Sequence, residues 1–265
     1  MSQTLVQQQF GPSAKHYAEC EVHRSGASLN RVVELVGPHR NWRVLDVATG
    51  AGHTAAIFAP HVAEVVASDI TDEMLGQTEA LAREKGLGNL RTAKAEAGEL
   101  PFDAASFDLV TCRLAAHHFP DIAQFVAAAR RVLKPGGRIA VVDNVTPDAE
   151  RLAGLTDDQI REAGVAYNAF EKLRDPSHAR ALSVDEWVGI LDKAGFTVLA
   201  REQIGKEMGF QPWVDRMRCG PQTVAELEQL LCATSPLSTF LMPREIDGDL
   251  HFTLQEFIVV AELSD

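Results

Sequence analysis

The residues with chemical potential lie in three places. Two adjacent histidines, His117 and His118, follow an apolar run that ends at Cys112. A second group, Leu173-Arg-Asp-Pro-Ser-His178, brings a cation, an acid and an imidazole within six residues. Imidazole titrates nearest neutrality, so His117, His118 and His178 are the candidates for moving a proton. Adjacent loop residues point in different directions, so one of His117 and His118 is expected to face a cleft and the other to brace the loop. Both can equally be structural, and Arg174 paired with Asp175 can simply close a helix end before Pro176. The third place is a glycine-rich stretch, Asp46-Val-Ala-Thr-Gly50-Ala-Gly52-His-Thr-Ala55. Its glycines let the backbone approach a ligand closely, and a helix opening there presents free N–H donors.

Two acids bear on what that ligand is. Taken alone, Gly50-x-Gly52-x-x-Ala55 fits the dinucleotide fingerprint, and a tight strand-to-helix turn without a ligand fits it too. Asp46 stands four residues before Gly50, where it opposes a pyrophosphate but attracts a cation such as an amino-acid ammonium. Asp69 ends the next apolar run, where a carboxylate can accept both ribose hydroxyls. An adenosine whose tail carries positive charge describes S-adenosylmethionine. An NAD(P)-dependent oxidoreductase is the alternative that Asp46 argues against. A non-catalytic partner protein that binds S-adenosylmethionine is another.

The elements that position these residues follow from hydrophobic periodicity. Leu29, Val32, Val33 and Val36 repeat at helical spacing and stop at Gly37-Pro38. Strands are expected at 42–47, 62–67, 90–94, 107–112 and 138–143, with helices at 71–85 and along the stripe Ile122–Leu133. Lys134-Pro-Gly-Gly137 reads as punctuation before the fifth strand. This alternation, with central strands nearly continuous in Val, Ile and Leu, predicts an α/β fold: a Rossmann-like, mostly parallel sheet with helices on both faces.

After Asp143 the rhythm breaks. Capping-box spellings stand at Thr156-Asp-Asp-Gln159, Ser183-Val-Asp-Glu186 and Thr223-Val-Ala-Glu226. A strand is expected at 196–201 and a last one at 252–263. Residues 146–180 and 204–248 read as insertions forming a helical cap over the carboxyl ends of the strands, where open α/β sheets bind ligands. The division expected is N-terminal helices at 1–40 closing over the cofactor, a core at 41–145, the cap insertions, and the rest of the core at 181–203 and 249–265.

Hydrophobic residues at 46% and charged residues at 23% suit a chain that buries a sizeable core. The net charge of −12 is uneven: −2 over residues 1–145 and −10 over 146–265. Such an acidic balance argues against nucleic acid as partner. It favours a neutral, apolar or amine-bearing acceptor over a phosphorylated one. No apolar run reaches the roughly 18 residues a membrane span needs, and the start has neither a basic nor an apolar leader segment. Cys20, Cys112, Cys219 and Cys232 form no C-x-x-C pair, which suits reduced thiols in a cytoplasm. A monomer or homodimer is expected.

The stretch Asp46-Val-Ala-Thr-Gly-Ala-Gly52 resembles the first motif of the class I S-adenosylmethionine-dependent methyltransferases, D/E-x-G-x-G-x-G, with Ala48 in place of the first glycine. Further stretches are similar to the type-11 group, which includes the ubiquinone/menaquinone biosynthesis enzymes. They are 9–17, 68–75, Glu96-Ala-Gly-Glu-Leu-Pro-Phe102, 106–110, Ala115-Ala-His-His-Phe119 and Arg131-Val-Leu-Lys-Pro-Gly-Gly137. The resemblance implies a seven-stranded sheet and methyl transfer from S-adenosylmethionine. It implies that Ala48, Thr49, Gly50, Gly52 and the Asp46 carboxylate hold the methionine tail and that Asp69 binds the ribose. Ile70 and Met74 would flank the adenine, and Glu96, in place of the usual Asp, would read its edge with the Ala97 amide. Phe10 and Tyr17 would fold over the cofactor, and Arg113 would lie by its carboxylate. Met74 can also be plain core, and Phe10 a hydrophobic staple.

Displacement at a sulfonium methyl needs alignment and exclusion of water above all. A base matters only when the nucleophile is a hydroxyl or an acidic C–H. The fourth strand ends Thr111-Cys-Arg113 rather than in the Asn/Asp-Pro-Pro-Tyr of enzymes acting on DNA or protein amides. Asp143-Asn144 is similar to part of a magnesium site in catechol-type O-methyltransferases, but the partner carboxylate is missing, so no metal is expected. The acceptor is a small molecule whose attacking atom (O, N or C) stays open.

Overall fold

A computed structural model of the chain describes residues 2–11, 26–149 and 152–264. Helices α1 (Ser2–Phe10) and α2 (Ala27–Val36) precede the alternating half. That half runs β1 (Arg43–Val47), α3 (His53–Phe58), β2 (Glu64–Asp69), α4 (Asp72–Glu84), β3 (Leu90–Lys94), β4 (Phe107–Arg113), α5 (Ile122–Val132) and β5 (Leu133–Asn144). There follow α6 (Asp157–Arg174), α7 (Val184–Lys193), β6 (Phe196–Gly209), α8 (Phe210–Arg216), α9 (Pro221–Cys232), α10 (Pro236–Leu241), β7 (Arg244–Ile246) and β8 (Asp249–Leu263).

The strands make one sheet in the order β3-β2-β1-β4-β5-β8-β6, with β7 beside the outer end of β8. β1 to β5 pair in parallel, and β8 runs antiparallel to both β5 and β6. The architecture is the expected Rossmann-like one, with the three-residue β7 making eight strands rather than seven. Successive residues of one strand feed two cores. Val44, Leu109 and Val142 join Val32 of α2 and Phe58 of α3, whereas Leu45, Val110 and Val141 join Phe125 of α5 and Trp187 of α7. Burial on both faces is why these strands read as unbroken apolar runs. The chain order reverses between β1 and β4, which opens a crevice at their carboxyl ends.

Three boundaries differ from expectation. β5 begins at Leu133, and Lys134-Pro-Gly-Gly137 is carried inside it as an irregularity where the register with β4 shifts between Phe107 and Leu109. The glycines make this possible: Gly136 has φ +68°, and a Cβ on Gly137 would lie 2.8 Å from the Lys134 carbonyl oxygen. β6 runs to Gly209 and β8 starts at Asp249, so the expected 196–201 and 252–263 are parts of longer strands. Their outer half escapes a hydrophobic reading because it carries Lys206 and Glu256, which satisfy each other at 2.5 Å inside the fold. Capping boxes form at Thr156 and Ser183, but not at Thr223. α9 opens instead with Pro221 after Gly220, and a further box forms at Ser235–Ser238.

The outer half of β6 and β8 supports a third core. Phe170 of α6 stacks on Trp213 of α8 with centroids 5.1 Å apart, and Trp213 meets Phe252 of β8 at 4.9 Å. Leu227 of α9 and Phe240 of α10 complete the cluster. Arg174 ends α6 with its guanidinium 4.4 Å from the Trp213 ring centroid and its Nε donating to the Trp213 carbonyl at 3.0 Å. The expected Arg174–Asp175 pair is therefore not the helix end. Asp175 instead accepts from the Ser177 amide at 2.9 Å and hydroxyl at 2.6 Å, a turn that seats the next residue, His178.

Candidate active site at the ends of β1 and β4

A cleft of about 1240 Å³, including its open mouth, lies at the reversal of strand order. Its floor is the turn Ala48–Ala51, and its sides are Asp69–Thr71, Ala95–Gly98 and Arg113–Ala115. His118 and Gln124 close one end, and Val6 and Phe10 of α1 lie across it. Gln7 Nε2 of α1 donates to the Ile70 carbonyl at 3.1 Å, and Phe10 meets His118 edge-on at 5.0 Å. The N-terminal helix is thereby tied to both walls.

Asp69 orders the turn from the wall of the cleft. Its Oδ2 accepts from the Gly50 amide and its Oδ1 from the Thr71 amide, both at 2.9 Å. The Thr71 hydroxyl and the Ile70 amide also act on this carboxylate, which lines the cleft. Burial raises its pKa, and the amides counter this. Asp46 sits differently. Its two oxygens accept from Thr49 Oγ1 at 2.6 Å and Thr111 Oγ1 at 2.7 Å, it is 1% exposed, and it does not line the cleft. Burial lifts its pKa to about 6, with the two hydroxyls opposing. Asp46 lies beneath the turn and fixes Thr49, which does line the cleft. Gly52 likewise serves packing. A Cβ there would lie 2.7 Å from Thr78 Cγ2, and the residue has φ +86°. Ala48 adopts φ +53°, a left-handed conformation that favours glycine.

Phe10, Ala48, Thr49, Gly50, Asp69, Ile70, Met74, Glu96, Ala97 and Arg113 are brought together around the cleft. Tyr17 lies outside the described residues. The chemistry of this lining fits S-adenosylmethionine. Asp69 supplies a carboxylate to the wall, apolar Ile70 and Met74 line it nearby, and a Cβ on Gly50 would meet only open space.

The histidines form a stack at the end of this cleft. His118 and His117 have centroids 4.2 Å apart, and His178 lies 5.5 Å beyond His117. His117 Nδ1 is 2.5 Å from Asp143 Oδ1, and its backbone amide donates to Asp143 Oδ2 at 2.8 Å. Its Nε2 makes no hydrogen bond among the described residues. Burial lowers the His117 pKa, but the Asp143 charge and hydrogen bond outweigh it and leave the group raised above 6.5. His118, held through Nδ1 to the Ser177 carbonyl at 3.2 Å, is pushed down to about 4 by burial and by His117. His178 is pushed to about 2 by burial and both neighbours, and its Nε2 contacts Asn168 Oδ1 at 2.8 Å. Asn168 is itself fixed, donating to the Gly164 and Ala181 carbonyls and accepting from the Ala181 amide. Of the three, only His118 lines the cleft. His117 stands behind it, and His178 is a buried support on the cap side.

Asp143 is the residue that sequence reasoning missed as a partner of His117. A signal existed. β4 and β5 are adjacent parallel strands with Arg113 opposite Val142, so the acid ending β5 must lie beside the loop that follows β4.

Comparison with known proteins gives three findings. Residues 45–141 match the methyltransferase domain family. The chain is 34% identical over 207 residues to the uncharacterised methyltransferase YcgJ of Bacillus subtilis (strain 168), covering 78% of each. It is 38% identical over 175 residues to the ubiquinone/menaquinone biosynthesis C-methyltransferase UbiE of Proteus mirabilis (strain HI4320), covering 62% of this chain and 70% of that one. A crystal structure from Bacillus halodurans C-125, assigned as a methyltransferase, superposes with TM-score 0.81 at 34% identity over 91% of this chain and 100% of that one.

Proposed function

The chain belongs to the class I S-adenosylmethionine-dependent methyltransferases, and on that footing we propose that it methylates a hydroxyl of a small organic acceptor with His117 as the base. When bound, S-adenosylmethionine supplies an electrophilic methyl group on a sulfonium. The residues of this chain do the rest. Asp69 accepts the ribose hydroxyls, Ile70 and Met74 flank the adenine, and Glu96 with the Ala97 amide reads its edge. Val6 and Phe10 keep water from the methyl. Arg113 lies by the cofactor carboxylate.

The single observation that carries the choice of a hydroxyl is the His117–Asp143 pair. Asp143 holds the proton on Nδ1, which leaves the lone pair on Nε2 and raises its basicity. A neutral amine already presents its lone pair and needs no such base. A hydroxyl is a weak nucleophile until its proton is drawn away. His118, neutral near pH 7, and His178 hold the imidazole between them and are positioning residues in this reading.

The test is kinetic. His117→Ala is expected to lower kcat by about 10²–10⁴ while S-adenosylhomocysteine affinity stays within twofold. The wild-type rate should rise with pH through the His117 pKa, above 6.5, because only the neutral ring accepts a proton. Asp143→Asn removes the charge that raises that pKa, so its rising limb should shift to lower pH as kcat falls. An unmoved limb, or His117→Ala at full rate, discards the base. The position of the new methyl in the product decides between oxygen and carbon.

A further inference from the structure

The turn that seats His178 also decides where His118 carries its hydrogen. His118 Nδ1 lies 3.2 Å from the Ser177 carbonyl oxygen and 3.2 Å from Ser177 Oγ. The carbonyl can only accept. The hydroxyl has a single hydrogen, which goes to Asp175 Oδ1 at 2.6 Å, a much shorter contact. That oxygen also accepts from the Ser177 amide at 2.9 Å, so it is not the donor. Both atoms facing His118 Nδ1 are therefore acceptors, and the ring meets them by carrying its hydrogen on Nδ1. Nε2 is left bare. It makes no hydrogen bond among the described residues, and it is not one of their fully buried unpaired atoms. His118 is half-buried and lines the cleft, with Phe10 edge-on at 5.0 Å. The neighbouring ring differs in what its hydrogen meets. His117 Nδ1 faces the Asp143 carboxylate at 2.5 Å, which favours the charged ring, whereas His118 Nδ1 faces uncharged oxygens. Burial and His117 itself push His118 further toward the neutral form, down to about 4.

We propose that His118 Nε2 is a specificity-determining hydrogen-bond acceptor of the cleft that receives an O–H or N–H of the substrate, and that Asp175 and Ser177 are the positioning residues that hold its tautomer. The inference goes beyond the role given to His117 and does not depend on it. A bare ring nitrogen accepts and cannot donate, so a carbonyl, an ether or a carboxylate presented to it sets lone pair against lone pair. A site arranged to take up a donor in this way rejects analogues that lack its hydrogen. Asp175 acts on the choice through Ser177. Without the Asp175 carboxylate, the Ser177 hydroxyl is released to donate to His118 Nδ1, which moves the ring hydrogen to Nε2 and turns the acceptor into a donor.

The test reads the histidine tautomers by nitrogen NMR on the full isotope-labelled chain saturated with S-adenosylhomocysteine, since a bare ring nitrogen resonates far from a protonated one. At pH 7 His118 should be neutral with its hydrogen on Nδ1. Asp175→Ala should shift that hydrogen toward Nε2, and adding Ser177→Ala should return it to Nδ1, because only the carbonyl then faces the ring. A merely structural turn gives no such reversal. Phenol and anisole, which has a methyl in place of the hydroxyl hydrogen, then probe the cleft. Phenol should move the Nε2 resonance and bind about tenfold more tightly than anisole, an advantage lost in His118→Phe. A charged His118 or a hydrogen on Nε2 in the wild type overturns the proposal. So does a tautomer that Asp175→Ala leaves unmoved or that the second substitution fails to return. An Nε2 resonance indifferent to phenol, or an advantage over anisole that is absent or survives His118→Phe, overturns it as well. The base is tested separately: a rate unchanged in His117→Ala removes that reading and leaves the His118 tautomer as the measure of this one.

Discussion

A single methyl group separates this cleft from the glycine-rich motif it resembles. Ala48 holds φ +53° where the family pattern has glycine, and left-handed backbone costs a residue with a Cβ about 1 kcal/mol. Ala48→Gly is therefore expected to raise the melting temperature by about 2–4 °C, read by scanning calorimetry, with S-adenosylhomocysteine affinity retained. Asp46 makes a second argument at this scale. Its folded pKa of about 6 lies above the ordinary 3.8, so its protonation favours the fold below 3.8 and that favour is lost as pH rises through 6. Keeping it ionised at pH 7 costs about 3 kcal/mol. The ionised form is the one that accepts from both Thr49 and Thr111, so the turn is best ordered above pH 6. S-adenosylhomocysteine affinity should weaken as pH falls from 7 to 5, and Asp46→Asn should flatten that dependence. Calorimetric titration across the range checks both.

Elements were legible in the sequence wherever burial had one simple geometry. α5 shows its stripe, Ile122, Phe125, Val126, Ala129 and Val132, because one face meets the sheet and the other water, and Asp121 caps it by accepting from the Gln124 amide. The parallel strands show because both faces are apolar. The cap was opaque for the opposite reason. Its helices bury their residues partly against one another and partly against charged strand positions, so no period of 2 or 3.6 survives. The cleft residues were legible because they sit at strand ends in fixed order, whereas Asn168, which supports His178, belongs to an element placed by tertiary contact. Trp213 joins α6, α8 and β8, and it is 1% exposed. Trp213→Ala should cost about 3–5 kcal/mol in denaturant unfolding. It should also slow methyl transfer more than it weakens S-adenosylhomocysteine binding, since α6 carries the support of His178 and the cleft belongs to the other core.

At the scale of the molecule, three cores share one sheet. Two inner cores flank β1 to β5 and the inner β8, and the cap core clasps the outer β6 and β8. In the proposed reading, cofactor and acceptor are handled by different packing units that meet at the histidine stack. Among the described residues no helix is long and apolar enough to cross a membrane. β8 belongs to both units: Ile258 and Val260 pack in an inner core, and Phe252 and Leu254 in the cap. It also fills the space between β5 and β6, although β5 ends at Asn144 and β8 begins only at Asp249. A ribosome adding about 5–20 residues per second leaves the edge of β5 open for roughly five to twenty seconds before its neighbour emerges. During translation that apolar edge is a template for the wrong strand, so yield in the cell should depend on chaperone supply more than the finished fold would suggest.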